Sequence, residues 1–218
     1  MTWSGQLIRS EEDIREGVEA LKNSCKFARK MHRVTGDPPL RRRNGGFKGL
    51  ARIVVGQQLS IASADAIWKR LEAKVKPFSY PQLAKFRDED LKTLGLSGSK
   101  IRTLRAIAAA IESKELSFRK LASAHEDTVI DDLVAIKGIG PWTANIYTMF
   151  CLGRADSWAA GDLALQYATQ DLMVLKEKPS SGELEDIAER WRPWRGVAAR
   201  MLWSYYREVR NLKQGTPV

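Results

Sequence analysis

Between Leu133 and Gln166 the chain reads LVAIKGIGPWTANIYTMFCLGRADSWAAGDLALQ, and that order of glycines, tryptophan and carboxylate leaves few folds open. Leu133 and Ile136 give an apolar helical face before Lys137-Gly138-Ile139-Gly140. Ala144, Tyr147, Thr148 and Cys151 give a second face after it. The spacing predicts a helix, a tight turn and a helix. Glycine permits the backbone angles and close approaches of such a turn, and Pro141 suits the first position of the second helix, where no amide donor is needed. Unpaired N–H groups at that helix start, aided by the helix dipole, can hold a phosphate. An ordinary turn between two helices uses the same residues, so this motif alone leaves both readings open.

Asp162 stands twenty residues after Trp142, at the head of an apolar-periodic segment from Leu163 to Leu175. Aspartate there is a favoured helix N-cap. A capping carboxylate can also serve chemistry, because the N–H groups it accepts hold its charge in place. Asp156 lacks a following helix and is expected to cap or brace its loop.

The formal net charge of +10 favours a polyanionic partner, since each phosphate neutralised by Lys or Arg releases condensed counterions. Charge alone does not separate DNA from RNA or anionic lipid. At 218 residues and 44% hydrophobic content the chain can bury a sizeable core in one domain or two small lobes. No apolar run reaches membrane-spanning length and the N-terminus has no signal-peptide core, so no membrane partner is expected. Two cysteines, Cys25 and Cys151, cannot make a four-cysteine iron–sulfur cluster, and His32 and His125 are too isolated to suggest zinc.

Helical periodicity runs through most of the chain. Ser10 followed by Glu11, Glu12 and Asp13 predicts an N-capped helix over 10–32. Thr35 to Pro39 breaks it, and Arg41-Arg42-Arg43-Asn44-Gly45-Gly46 makes a basic loop. Phe47 to Val75 is helical apart from Gly56-Gln57-Gln58-Leu59-Ser60, with Ser60 as the next N-cap. After a linker from Pro77 to Pro81, helices are expected over 83–94, 101–111 and 116–122. Beyond Asp162 come 183–191 and Trp194 to Leu212. The expectation is an all-α protein of about ten helices. In the last of them, Trp203 lies off the stripe formed by Trp194, Val197, Met201 and Tyr205.

The hairpin from Ile136 to Ala144, Leu152-Gly153-Arg154-Ala155-Asp156 and Gly161-Asp162-Leu163-Ala164-Leu165-Gln166 together resemble the helix-hairpin-helix GPD superfamily of DNA glycosylases. Within it they resemble the alkylbase branch typified by DNA-3-methyladenine glycosylase II. Gly56 to Ser60 and Trp191-Arg192-Pro193-Trp194-Arg195 extend the likeness over about residues 45 to 207. The Ala159-Ala160 pair departs from relatives that carry a proline shortly before the aspartate.

The resemblance implies a two-lobed fold, with about 1–56 plus 125–218 in one lobe, about 57–124 in the other, the active site in the cleft and no separate N-terminal β domain. It implies a monofunctional hydrolase of base excision repair that flips alkylated purines, such as 3-methyladenine or 7-methylguanine, from duplex DNA. Asp162 would stabilise an oxocarbenium-like sugar and orient water. Trp142 and Trp203 would wall the base pocket. Trp142 stands where lyases of the family place a Schiff-base lysine, so no lyase activity is expected. Lys137, Gly138, Ile139, Gly140 and Thr143 would hold the phosphate, and the Gln57-Gln58-Leu59-Ser60 loop would fill the gap left by the extruded base, with Gln58 or Leu59 as wedge. A structural sodium or potassium ion on the Val134, Ile136 and Ile139 carbonyls is the sole cofactor considered, and no catalytic metal is implied. The expected setting is a monomer inside the cell with the DNA, in a bacterial cytoplasm or a nucleus. The alternatives are a non-catalytic DNA-binding protein, or the same fold acting on deaminated or oxidised bases.

Overall fold

The computed structural model describes residues 4–210. Within them the chain is all-α, with thirteen α-helices, a π-helical turn, a 3-10 turn and no strand; Leu7 and Arg154 form an isolated bridge. The excess over ten helices arises where expected helices are cut. The helix expected over 10–32 divides into α1 (Glu11–Ser24) and α2 (Lys26–Thr35), because Cys25 is extended, at φ −136° and ψ 119°. Cys25 donates its N–H to Leu21 and accepts from Arg29, so it ends one helix and starts the next. The segment 83–94 divides into α5 (Tyr80–Ala84), with Pro81 in its first turn, and α6 (Asp88–Thr93). The carbonyls freed by that break at Leu83 and Phe86 are met by the Arg105 guanidinium. No local pattern announces this long-range cap.

The residues fall into two compact units, described separately. The boundaries are 42/43 and 147/148, where the resemblance implies lobes divided near 57 and 124. The first unit, 43–147, contains α3 (Gly46–Gly56), α4 (Ile61–Lys74), α5, α6, α7 (Gly98–Glu112), α8 (Phe118–Ser123), α9 (Glu126–Val134) and α10 (Pro141–Tyr147). α3 is its centre: Leu50, Ala51, Val54 and Val55 are buried, and the helix packs on α4, α7 and α10. Each fully buried leucine or valine adds about 1.5–3 kcal/mol of transfer free energy. Tyr147 is buried, accepts from the Gly46 N–H at 3.0 Å and packs on Phe118, the structural role its apolar position suggests.

The turn between α9 and α10 is pinned by the buried Ile136 and Ile139, with the Ile139 N–H on the Ile136 carbonyl at 3.0 Å. Gly138 lies at φ +93°, and a Cβ there would meet Thr103 Oγ1 of α7 at 2.0 Å. Both the angle and the packing therefore demand glycine.

The second unit joins 4–42 to the residues after 147. It holds α1, α2, the π turn Thr148–Leu152, α11 (Leu163–Met173), α12 (Ser181–Ala188), the 3-10 turn Glu189–Trp191 and α13 (Arg195–Val209). The expected end of the last helix at Leu212 lies outside the described residues. α13 packs against α1, α2 and α11 and is buried along most of its length. Ser10 caps α1 as expected, accepting from the Asp13 N–H, while the Asp13 carboxylate accepts from the Ser10 N–H at 2.8 Å. The extended segment 6–8 clips onto the loop after the π turn: the Ile8 N–H meets the Gly153 carbonyl and the Ala155 N–H meets the Gln6 carbonyl. No helix among the described residues is long and apolar enough to cross a membrane.

Two substitutions test these packings by thermal unfolding. Gly17→Ala would put a Cβ 2.6 Å from the Trp194 ring, between α1 and α13, and is expected to cost about 1–3 kcal/mol. Gly138→Ala combines about 1–2 kcal/mol for a left-handed alanine with about 1–3 kcal/mol of crowding and is expected to lower the midpoint more. An unchanged midpoint in either variant would contradict the corresponding contact.

Candidate functional site

The residues singled out in sequence form two sets, one in each unit. In the first unit Lys137 and Gly138 are exposed at the hairpin, Gly140 is partly exposed, and Trp142 is half-buried at the second position of α10. Nothing lies within 4 Å of where a Cβ of Gly140 would be, so its backbone is open to close approach by a ligand. Thr143 differs from the expected open phosphate ligand. It is 2% exposed, and its Oγ1 accepts from Gln57 Nε2 at 2.8 Å.

That hydrogen bond ties the hairpin helix to the Gln57–Ser60 loop, a link sequence could not show because the partners lie 86 residues apart. Within the loop Gln58 is exposed and left-handed at φ +55°, an unfavourable angle for a side chain with a Cβ. Strain of this kind persists when neighbours enforce it. Leu59 is half-buried, with its N–H on the Gly56 carbonyl, and the Ser60 hydroxyl accepts from the Ser63 N–H at 3.2 Å to cap α4. Lys100 donates from Nζ to the Val55 carbonyl at 2.8 Å and so caps the end of α3 just before the loop. Burial pushes its ammonium pKa down.

In the second unit Asp162 is 5% exposed and caps α11, its Oδ1 accepting from the Leu165 N–H at 3.0 Å. The same oxygen accepts from Trp203 Nε1 at 3.1 Å. Trp203 was expected as a pocket wall. It is 2% exposed and packs its ring on Phe150 at 5.7 Å, so what it demonstrably supplies to Asp162 is a donor. Behind Phe150 lies Arg200, whose guanidinium sits 4.6 Å from the ring centroid and donates to the carbonyls of Gly196, Met149 and Leu40. Burial, with repulsion from Arg41 and Arg42, pushes its pKa down to about 9, so it stays charged at neutral pH. Carbonyls and a ring face, which hydropathy patterns do not display, offset the desolvation of this cation.

Asp156 braces the loop as expected. It accepts from the Arg195 N–H at 3.3 Å and Nε at 3.1 Å and pairs with Arg192, while Arg195 also reaches Glu185 and Glu189. Trp158 is 3% exposed and packs on Trp191 with centroids 5.5 Å apart, and Trp194 is buried against α1. These three tryptophans are packing residues.

Residues 51–193 match the family model described as HhH-GPD superfamily base excision DNA repair protein. Among curated proteins, the chain is 30% identical over 190 residues to a DNA-3-methyladenine glycosylase of Bacillus subtilis, covering 81% of this chain and 61% of that protein. It thus spans less than two thirds of that relative's length. It is 31% identical over 161 residues to DNA-3-methyladenine glycosylase 1 of Schizosaccharomyces pombe, covering 72% and 71%. Among solved structures, a DNA-3-methyladenine glycosidase of Bacillus halodurans superposes with a TM-score of 0.76 at 31% identity, over 96% of this chain and 95% of that one. With the hairpin, the capped Asp162 and a family match across most of its length, the chain belongs to the HhH-GPD superfamily of base excision DNA repair proteins.

Proposed function

We propose that this protein is a monofunctional DNA glycosylase that excises alkylated purines, 3-methyladenine and 7-methylguanine, from duplex DNA. The observation that carries the reading is the buried Asp162 carboxylate, held on Oδ1 by the Leu165 N–H and Trp203 Nε1. A carboxylate fixed in a water-poor site stabilises positive charge developing on a sugar without having to reorganise. A purine alkylated on a ring nitrogen is already cationic. The bond from C1′ to that purine breaks with its electron pair going to the base, which leaves neutral. Water then adds to C1′, and its proton passes to Asp162 or to solvent, leaving an abasic site.

Trp142 offers no amine for a Schiff base, which supports hydrolysis without strand cleavage, and its half-buried indole suits stacking on an electron-poor base. The net charge of +10 suits a DNA backbone. The exposed, left-handed Gln58 is the better wedge candidate of the pair, since its side chain is already presented and Leu59 is half-covered. Phosphate would meet the Gly138 and Gly140 backbone, with Lys137 adding charge, while Thr143 holds Gln57. The Val134, Ile136 and Ile139 carbonyls fit a sodium or potassium ion in donor chemistry: Ile136 accepts one N–H, and a carbonyl keeps a second lone pair. The enzyme would act as a monomer with the DNA inside the cell.

Incubation with methylated duplex DNA tests this. Wild type is expected to release methylated purines, and Asp162→Asn to release them about 100- to 1,000-fold more slowly with DNA binding retained. Binding by both proteins without release by wild type would favour a non-catalytic module. Release of hypoxanthine or oxidised bases in place of methylated ones would shift the lesion class, and β-elimination at a rate matching base release would overturn the monofunctional reading.

A further inference from the structure

The loop that delivers Asp162 carries Ala159-Ala160 and no proline, yet it is tightly held. The Asp162 N–H donates to the Ala159 carbonyl at 2.9 Å, closing a turn with Ala160 and Gly161 at its centre. One turn into α11, the Gln166 N–H takes the Asp162 carbonyl at 3.0 Å. Its side chain, in a residue 4% exposed, folds back so that Nε2 donates to the Ala160 carbonyl at 3.0 Å and to Ser181 Oγ at 3.2 Å. Lys178 Nζ donates to Gln166 Oε1 at 2.5 Å. The ammonium can only donate, so it fixes which end of the amide faces it and leaves the NH2 group toward Ala160. A reversed amide would set oxygen against carbonyl oxygen and NH2 against ammonium.

We infer that Gln166, oriented by Lys178, is a positioning residue for Asp162: it grips the peptide two residues before the carboxylate from one side while its own N–H grips the Asp162 carbonyl from the other. The brace supplies through a buried side chain the restriction that a ring would supply through the backbone. It rests on the reading of Asp162 as the group that meets the sugar, but its mechanical part stands without that reading. Gln166→Glu separates the roles, because a carboxylate still accepts from Lys178 and has no N–H to give Ala160. Ala160→Pro supplies independent stiffness, since the second position of such a turn favours proline.

The experiment uses the full chain in four forms: wild type, Gln166→Glu, Gln166→Glu with Ala160→Pro, and Lys178→Met. Each is measured for amide exchange over 159–163, for single-turnover release of 7-methylguanine and for affinity to abasic duplex. Gln166→Glu is expected to speed exchange at Asp162 and to slow release about 10-fold with affinity unchanged within about twofold, as misplacement of a reacting group does. Ala160→Pro is expected to recover most of both losses. Lys178→Met, which keeps the glutamine but frees its amide, is expected to move both readouts the same way by less, and it stands in if Gln166→Glu does not fold. Unchanged exchange in Gln166→Glu, or in Lys178→Met where that stands in, overturns the brace. Faster exchange with unchanged release overturns its catalytic consequence. A wild type that releases no base, with exchange responding as expected, sinks the glycosylase reading and leaves the brace standing.

Discussion

A hydrogen bond from Trp203 Nε1 to Asp162 Oδ1, 3.1 Å long and closed to solvent, is the contact around which the second unit is arranged. A carboxylate taken out of water is expensive unless its lone pairs are met, and here the two named donors arrive from different elements, the first turn of α11 and the middle of α13. The rest of the unit holds those elements in place. Phe150 packs on the indole, Arg200 packs on Phe150 and ties the π turn to α13 through Met149 and Gly196, and Arg195 binds the start of α13 to Asp156 in the loop. Asp162 is thus both a helix cap and the end of a buried polar network.

The first unit has its own pivot. Gln57 to Thr143 couples the strained loop to the hairpin helix, so the residue expected to touch phosphate instead secures the loop. Lys100 secures the same approach to the loop by taking the last turn of α3. These two contacts hold the chain just before Gln58 and the Ser60 cap of α4 holds it just after, so the left-handed angle is enforced from both flanks.

What the sequence disclosed follows from how local each interaction is. Ser10, Ser60 and Asp162 were legible as caps because a cap partner lies three residues away. The glycine turn was legible because φ > 0 restricts residue type at the position itself. The break at Cys25 was hidden, since the weak helix propensity of Ser24 and Cys25 alone does not stop a helix, and the α5–α6 break depends on Arg105 from another helix. Trp203 was flagged by its place off the apolar stripe, but its indole N–H as a donor to a residue 41 positions earlier was not. Thr143, Lys100 and Arg200 share that character: each acts through a partner that only the folded chain brings near.

The most direct test of the account is the single-turnover rate of base release from methylated duplex DNA by Trp203→Phe, which keeps an aromatic ring at the position and removes the N–H that meets Asp162 along with the rest of the indole's five-membered ring. The account predicts a rate about 10-fold below wild type or slower, with affinity for abasic duplex unchanged, because a charge-assisted hydrogen bond in a buried site contributes about 1.5–3 kcal/mol. A Trp203→Phe protein that releases base as fast as wild type would contradict it.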